Sequence, residues 1–207
     1  MRRALLVVLL SIIAASYHVS ADSARAVVES DLDGDGRRER IALDGTGERA
    51  LTVTRGKRLV WQGVPKRWQP WKLATSDVDG DGRREIVVGI HKATHYFPKP
   101  HNCLFIYDWD GQSALPKWLG SSLSKPFTDF AFADLDADGR DNLIAIETTR
   151  EGRQCLAVYS WNGFGFTLDW QRGDWAHARL LAAPGGRLFV EADGERIPVR
   201  EEKVSGT

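Results

Sequence analysis

The segment Asp77-Val-Asp-Gly-Asp-Gly-Arg-Arg-Glu85 is an acidic nonapeptide that occurs in three similar copies along the 207-residue chain. The other copies are Asp31-Leu-Asp-Gly-Asp-Gly-Arg-Arg-Glu39 and Asp134-Leu-Asp-Ala-Asp-Gly-Arg-Asp-Asn142. Successive copies begin roughly 50 residues apart, and each leads directly into a short run of apolar, β-type residues. This internal repeat indicates that one structural unit is built three times.

The similarity continues downstream of the acidic nonapeptides. Cys103-Leu-Phe-Ile-Tyr-Asp-Trp-Asp-Gly111 matches Cys155-Leu-Ala-Val-Tyr-Ser-Trp-Asn-Gly163, and both predict a strand that ends in a hairpin turn. A further strand with a tryptophan follows, at Trp118 and Trp170, and Trp61 occupies the same place in the first repeat. Each repeat therefore contains about four strands, which is typical of propeller blades.

The sequence predicts an all-β, propeller-like fold with three four-stranded blades and a partial fourth blade. The partial blade follows Gly173, with candidate strands at 178–183, 188–191 and 196–199. Pro184-Gly-Gly-Arg187 stands where an acidic loop would be expected, but lacks its carboxylates. No sustained helical periodicity occurs after the first 21 residues, so few helices are expected.

Composition supports a folded domain and argues against one class of partner. Hydrophobic residues make up 43% of the chain and charged residues 27%, which is sufficient for a buried core. The formal net charge is zero, so there is no overall basic field to attract nucleic acid.

The N-terminal residues have the pattern of a secretory signal peptide. Arg2 and Arg3 precede an uncharged apolar run over 4–15, and Val19 and Ala21 are small residues at positions −3 and −1 of a cleavage site. The apolar run is shorter than the ~20 residues of a membrane-spanning helix. We expect a signal peptide at 1–21 and a secreted or periplasmic domain at 22–207 with no membrane span.

The acidic nonapeptides have the chemistry of a calcium site. Carboxylates at positions 1, 3 and 5 of a tight turn can point to one centre, position 7 can add a backbone carbonyl, and position 9 can close the shell. An EF-hand loop would need a glutamate at position 12, where this chain has Ala42, Val88 and Ala145. The predicted calcium ligands are Asp31, Asp33, Asp35, Arg37 and Glu39; Asp77, Asp79, Asp81, Arg83 and Glu85; and Asp134, Asp136, Asp138, Arg140 and Asn142.

The third copy departs from the other two at position 9. Asn142 replaces the glutamate there, so this loop is expected to bind calcium most weakly. Asp141 lies beside Asn142 in the sequence and is a candidate to substitute for it.

Over roughly Val27 to Gly173 the three copies resemble the FG-GAP or VCBS-type repeats of integrin α-subunit propellers and of bacterial secreted proteins. The resemblance implies that the aspartate and glutamate residues of each loop, with Asn142 in the third, bind calcium at the rim of a blade.

A long segment in the second repeat is the predicted partner site. It runs from His91 to Asn102 and mixes histidines, lysines and aromatic residues, which suits an anionic or sugar-like ligand. The candidate ligand-binding residues are His91, Lys92, His95, Tyr96 and His101, together with Trp68 and Trp71.

The sequence favours a noncatalytic binding or scaffolding module, and no catalytic residue is assigned. The expected partner is an extracytoplasmic protein or glycan, and an open blade edge would also permit a homo-oligomer. Two alternatives remain open, a small secreted hydrolase that uses the segment 91–101 and a glycan-binding module. Cys103 and Cys155 occupy equivalent positions in two repeats, so they are not expected to form a disulfide with each other.

Overall fold

The computed structural model describes residues 26–43, 47–183 and 186–200, and these residues form an all-β fold. The predicted signal peptide lies outside the described residues. The strands of the first two sheets are β1 (Val27–Ser30), β2 (Glu39–Leu43), β3 (Arg49–Arg55), β4 (Arg58–Pro65), β5 (Lys72–Ser76), β6 (Glu85–Lys92), β7 (His101–Trp109) and β8 (Ala114–Gly120). Those of the other two are β9 (Phe127–Ala133), β10 (Asn142–Thr148), β11 (Gln154–Trp161), β12 (Phe166–Trp175), β13 (Ala178–Ala183), β14 (Arg187–Ala192) and β15 (Glu195–Pro198).

The four sheets form the blades of a propeller ring, which confirms the predicted fold. Three sheets have four strands and the last has three, and each is an antiparallel meander in which sequential strands pair. The described helical structure is one 3₁₀ turn at Lys66–Trp68, and within the described ranges no helix is long and apolar enough to cross a membrane.

The second strand of a blade is buried on both faces because a neighbouring blade covers each face. In β6, Ile86, Val88 and Ile90 pack into the core between the first and second blades, while Val87 faces the core between the second and third. The strand therefore reads as a continuous apolar run rather than an alternating one. In β10, Leu143 and Ala145 face the second blade, and Ile144 and Ile146 face the fourth.

The innermost strands join the blades around the axis. Strand β5 contacts β1 and β9, and β9 contacts β13. Asp129 of β9 forms an ion pair with Lys72 of β5, and its other carboxylate oxygen accepts a hydrogen bond from the Leu180 amide of β13 at 3.2 Å. One carboxylate thus ties three blades together.

The recurrent tryptophans pack between blades, as expected from their repeated position. Trp61, Trp118 and Trp170 contact the first, second and third inter-blade cores respectively. A β-carbon at Gly120 would lie 2.0 Å from the Trp118 ring, so only glycine leaves room for this indole on the same strand. Cys103 and Cys155 are buried free thiols in separate blades.

Candidate metal centres at one edge of the blades

The acidic loops lie at the same edge of three successive blades. In a meander, the turns after the first and third strands share one edge, and the turn after the second strand lies at the opposite edge. The loops at 31–38, 77–84 and 134–141 all follow the first strand of their blade. Residues 93–100 follow the second strand, so the partner site predicted from sequence lies at the edge opposite the acidic loops.

The loops fold tightly because their own carboxylates accept backbone N–H groups. In the second loop, Asp77 accepts hydrogen bonds from the amides of Gly80 at 2.7 Å and Gly82 at 2.9 Å. Asp81 accepts one from the Arg83 amide at 2.8 Å. The first loop repeats this pattern. In the third loop Asp134 accepts from the amides of Asp138 and Gly139, so the first donor lies one position later than in the other loops, and Asp138 accepts from the Arg140 amide.

The residue at position 9 anchors the loop from the following strand. Glu39 and Glu85 each accept a hydrogen bond from the position-2 amide, at 3.2 Å from Leu32 and 2.9 Å from Val78. Asn142 does the same for Leu135 at 3.1 Å. Since an amide oxygen fulfils this anchoring role as well as a carboxylate, position 9 has a structural function that is separate from metal binding.

Each loop brings three carboxylates to one point. The convergent groups are Asp31, Asp33 and Glu39; Asp77, Asp79 and Glu85; and Asp134, Asp136 and Asp138, with one oxygen from each residue within 4.8 Å of the others. Oxygens bound to one Ca²⁺ at about 2.3–2.6 Å are separated by up to about 5 Å, so this spacing fits a calcium shell.

Two predicted ligands stand apart from these groups. Asp35 and Asp81 are absent from the convergent sets of the first two loops, whereas Asp138 at the same position belongs to the third set. Asp81 instead pairs with the Arg83 guanidinium at 2.9 Å. Partial burial raises the pKa of Asp81, but the Arg83 amide and its charge outweigh this effect and leave the pKa below its usual value.

A lysine forms ion pairs with two carboxylates of the second loop. Lys117 of β8 places its Nζ 2.6 Å from Asp79, 2.7 Å from Glu85 and 3.0 Å from Asp108. Burial alone would lower the pKa of Lys117, but hydrogen bonds to the three carboxylates raise it above its usual value. Burial also raises the pKa of Glu85, an effect that the Lys117 ammonium opposes.

An arginine performs the same role in the first loop. Arg55 of β3 places its Nη2 3.0 Å from Asp33 and 2.6 Å from Glu39, which are again positions 3 and 9 of the loop. The hydrogen bond to Glu39 is the main reason that the pKa of Arg55 is raised. Neither Arg55 nor Lys117 was expected from sequence, because each belongs to a strand remote from its loop.

The third loop has no such partner. Within the described part of the chain, none of Asp134, Asp136 and Asp138 forms an ion pair. Partial desolvation raises the pKa of Asp136, and repulsion from Asp138 and Asp134 raises it further.

Asp141 does not substitute for Asn142, and that prediction is wrong. Its carboxylate turns to the second blade, where it accepts hydrogen bonds from the Ser76 hydroxyl and the Asp77 amide, both at 3.1 Å. The Asp141 amide donates in turn to the Asp77 carbonyl at 2.8 Å. Asp141 therefore couples the second and third loops.

The segment 91–102 has its own internal contacts. Nδ1 of His91 lies 2.9 Å from the Asn102 side-chain oxygen, the His101 ring packs edge-on against Phe97, and Tyr96 is 80% exposed. The side-chain groups that could hold a metal ion, as found among the described residues, contain no histidine. The structure therefore does not gather His91, His95 and His101 around one centre.

The two tryptophans predicted to act with this segment lie in different environments. Trp68 lies beneath the Lys92 ammonium, 4.7 Å from its ring centroid, and so adjoins the segment. Trp71 packs edge-on against Phe130 at 5.4 Å in the core between the second and third blades. Trp68 also packs edge-on against the buried Phe105, so it joins the segment to the core between the first and second blades, whereas Trp71 has a packing role alone.

A histidine and a cysteine also meet here, which sequence reasoning did not anticipate. Nε2 of His101 lies 3.5 Å from the Cys103 sulfur. Cys103 is fully buried, and this burial raises the pKa of its thiol. A reactive cysteine requires a lowered thiol pKa and solvent access, so the pair lacks the properties of an activated nucleophile.

The fold and site together define a class, a four-bladed β-propeller arrangement with acidic clusters able to hold metal ions at one edge. Scanning the chain against protein-family models gave no match, and a search of curated proteins also found none.

Proposed function

We propose that this protein is a secreted, calcium-binding propeller that acts as a noncatalytic binding or scaffolding module. The observation that carries the proposal is the convergence of three carboxylates in each of three acidic loops at the same edge of successive blades. Carboxylates held this close repel one another, so a cation that neutralises them stabilises the loop.

The donor set favours a hard cation such as calcium. All the convergent side chains offer carboxylate oxygens, and none offers the nitrogen or sulfur that zinc and other transition metals prefer. The ligands would be Asp31, Asp33 and Glu39 in the first loop, Asp77, Asp79 and Glu85 in the second, and Asp134, Asp136 and Asp138 in the third. The resemblance of these loops to FG-GAP and VCBS-type repeats supports the same assignment.

The partner surface is assigned to the edge opposite the metal loops. There the segment 91–102 presents the exposed aromatic residues Tyr96 and Phe97, and Lys92 stacks on Trp68 nearby. Exposed aromatic rings beside cationic groups suit an extracytoplasmic protein or glycan with anionic groups. Because the calcium loops lie at the other edge, their role in this proposal is to stabilise the blades that carry the surface.

Thermal unfolding in calcium and in chelator tests the calcium assignment. At a calcium concentration about 100 times the dissociation constant, each independent site adds about 2.7 kcal/mol to the free energy of unfolding. We therefore expect a clear drop in Tm in excess chelator that restored calcium reverses. Asp79→Ala should reproduce part of this drop, whereas Asp174→Ala, an exposed aspartate outside the loops, should leave the calcium-dependent shift unchanged. Identical melting curves with and without chelator would contradict the proposal.

A further inference from the structure

The loops proposed to bind calcium already contain cations of the protein in two cases out of three. Lys117 lies within 3.0 Å of three carboxylates, and two of them, Asp79 and Glu85, are proposed calcium ligands. Its side chain is only 12% exposed, so the ammonium is held at the site rather than passing over it in solvent.

The arrangement recurs with a different residue from a different strand. In the second blade the cation comes from β8, the fourth strand, whereas in the first blade Arg55 comes from β3, the third strand. Both bridge positions 3 and 9 of their loop. This independent recurrence indicates that a loop with glutamate at position 9 selects a cation at this point.

The third blade has the opposite charge at the same place. Trp118 pairs with Ile106 and Trp170 pairs with Val158 in equivalent registers, so Asp169 occupies the position of Lys117. Asp169 accepts a hydrogen bond from Ser160, which accepts one from the Asn142 amide. Here position 9 is neutral, and no lysine or arginine of the described residues pairs with the convergent carboxylates of this loop.

We propose that Lys117 and Arg55 are tethered counter-ions that compete with calcium for the second and first loops. The inference rests on the proposed calcium binding. A calcium ion that coordinates Asp79 and Glu85 must displace the Lys117 ammonium from them, and the free energy of that displacement weakens the apparent affinity. The same ammonium neutralises the loop when calcium is low, so the metal-free loop keeps its fold.

Calorimetric titration with CaCl₂ tests the inference by comparing the calcium affinities of the wild type and of Lys117→Met, both as the full mature chain. Loss of the ammonium removes the competitor, and we expect one site to bind calcium at least about tenfold more tightly than in the wild type. Arg55→Met should produce the same change through the first loop. Lys99→Met is the matched control, because it removes the same charge from an exposed residue at the opposite edge and should leave the affinities unchanged.

Thermal unfolding gives a second measurement if Lys117→Met folds poorly without metal. Loss of the ammonium leaves the buried Glu85 without its charge partner, so the variant should be less stable than the wild type in chelator and should recover in calcium. The difference in Tm between the two conditions should therefore exceed that of the wild type.

The outcomes separate the two proposals. If the wild type binds calcium and Lys117→Met binds it equally well or more weakly, the competition by Lys117 is contradicted, and the proposal of calcium binding stands. No binding by the wild type or the variants at about 10 mM calcium, above the usual range for extracellular modules, would overturn calcium binding and the inference with it. If Lys117→Met binds calcium and the wild type does not, the competition is supported, and Lys117 prevents calcium from binding to the second loop of the natural chain.

Discussion

The second and third acidic loops share aspartates at positions 1, 3 and 5 but have opposite electrostatic surroundings. In the second, the Lys117 ammonium joins Asp79 and Glu85, and the convergent group uses position 9. In the third, Asp169 replaces the lysine, and the group uses positions 1, 3 and 5 instead. The two differences go together: the loop with a carboxylate at position 9 has a lysine beside it, and the loop with an amide there has an aspartate.

Alanine at position 9 offers the strongest contrast between these loops. Glu85→Ala and Asn142→Ala both remove the acceptor for a backbone amide, but only Glu85→Ala also removes a charge partner of the partly buried Lys117. We expect a loss of about 1–3 kcal/mol for Asn142→Ala and a larger loss for Glu85→Ala, in which Lys117 keeps only Asp79 and Asp108 as partners. Urea unfolding in chelator measures both, and equal losses would show that the Lys117 pair contributes little.

High pH tests an equivalent pair of buried tyrosines in the second and third blades. Burial raises the pKa of Tyr107 to about 12, and burial together with the hydrogen bond that its hydroxyl donates to Glu147 also raises the pKa of Tyr159. A phenol with a raised folded-state pKa contributes stability that is complete below its ordinary pKa of about 10 and is lost as the pH rises to about 12.

The free energy of unfolding that ionisation of Tyr107 removes at alkaline pH is on the order of 2 kcal/mol. Urea unfolding at a series of pH values should show Tyr107→Phe losing less stability than the wild type between about pH 10 and 12. Tyr96→Phe is the matched control, since Tyr96 is 80% exposed and should follow the wild type. Parallel pH profiles for the wild type and Tyr107→Phe would contradict the assignment.

The smallest expected effect concerns the fourth position of the loops. Ala137 adopts a positive φ of 62°, where the first two loops have Gly34 and Gly80 at 74° and 76°. Ala137→Gly should therefore stabilise the protein by about 1 kcal/mol, because glycine adopts this conformation without strain. The reverse change, Gly80→Ala, should destabilise it, since the new β-carbon would lie 2.9 Å from the Arg140 side chain. Loss of stability in Ala137→Gly would contradict this account.

The blades were predictable from sequence, and the counter-ions were not. The repeated nonapeptides, the apolar runs after them and the hairpin turns fixed most strand positions, because each signal is local. Lys117 lies 32 residues from Glu85, and its contact with that carboxylate exists only once β6, β7 and β8 have paired. A comparison of the repeats would have revealed the charge reversal between Lys117 and Asp169, which was the available signal.

The separation of the two candidate surfaces followed from topology. Loops after the first and second strands of a meander must lie at opposite edges, so the acidic loops and the segment 91–102 could not share a face. The packing of Trp71 was less accessible, because it depends on Phe127 and Phe130 of the next blade.

Calorimetric titration of the metal-free protein with CaCl₂ tests the central claim most directly. The account predicts saturable binding, with one site lost in each of Asp31→Asn, Asp77→Asn and Asp134→Asn, because each substitution removes a convergent carboxylate. Magnesium should bind more weakly, since it requires shorter and more regular coordination. A folded protein that takes up no calcium at about 10 mM would contradict the claim that these loops are calcium sites.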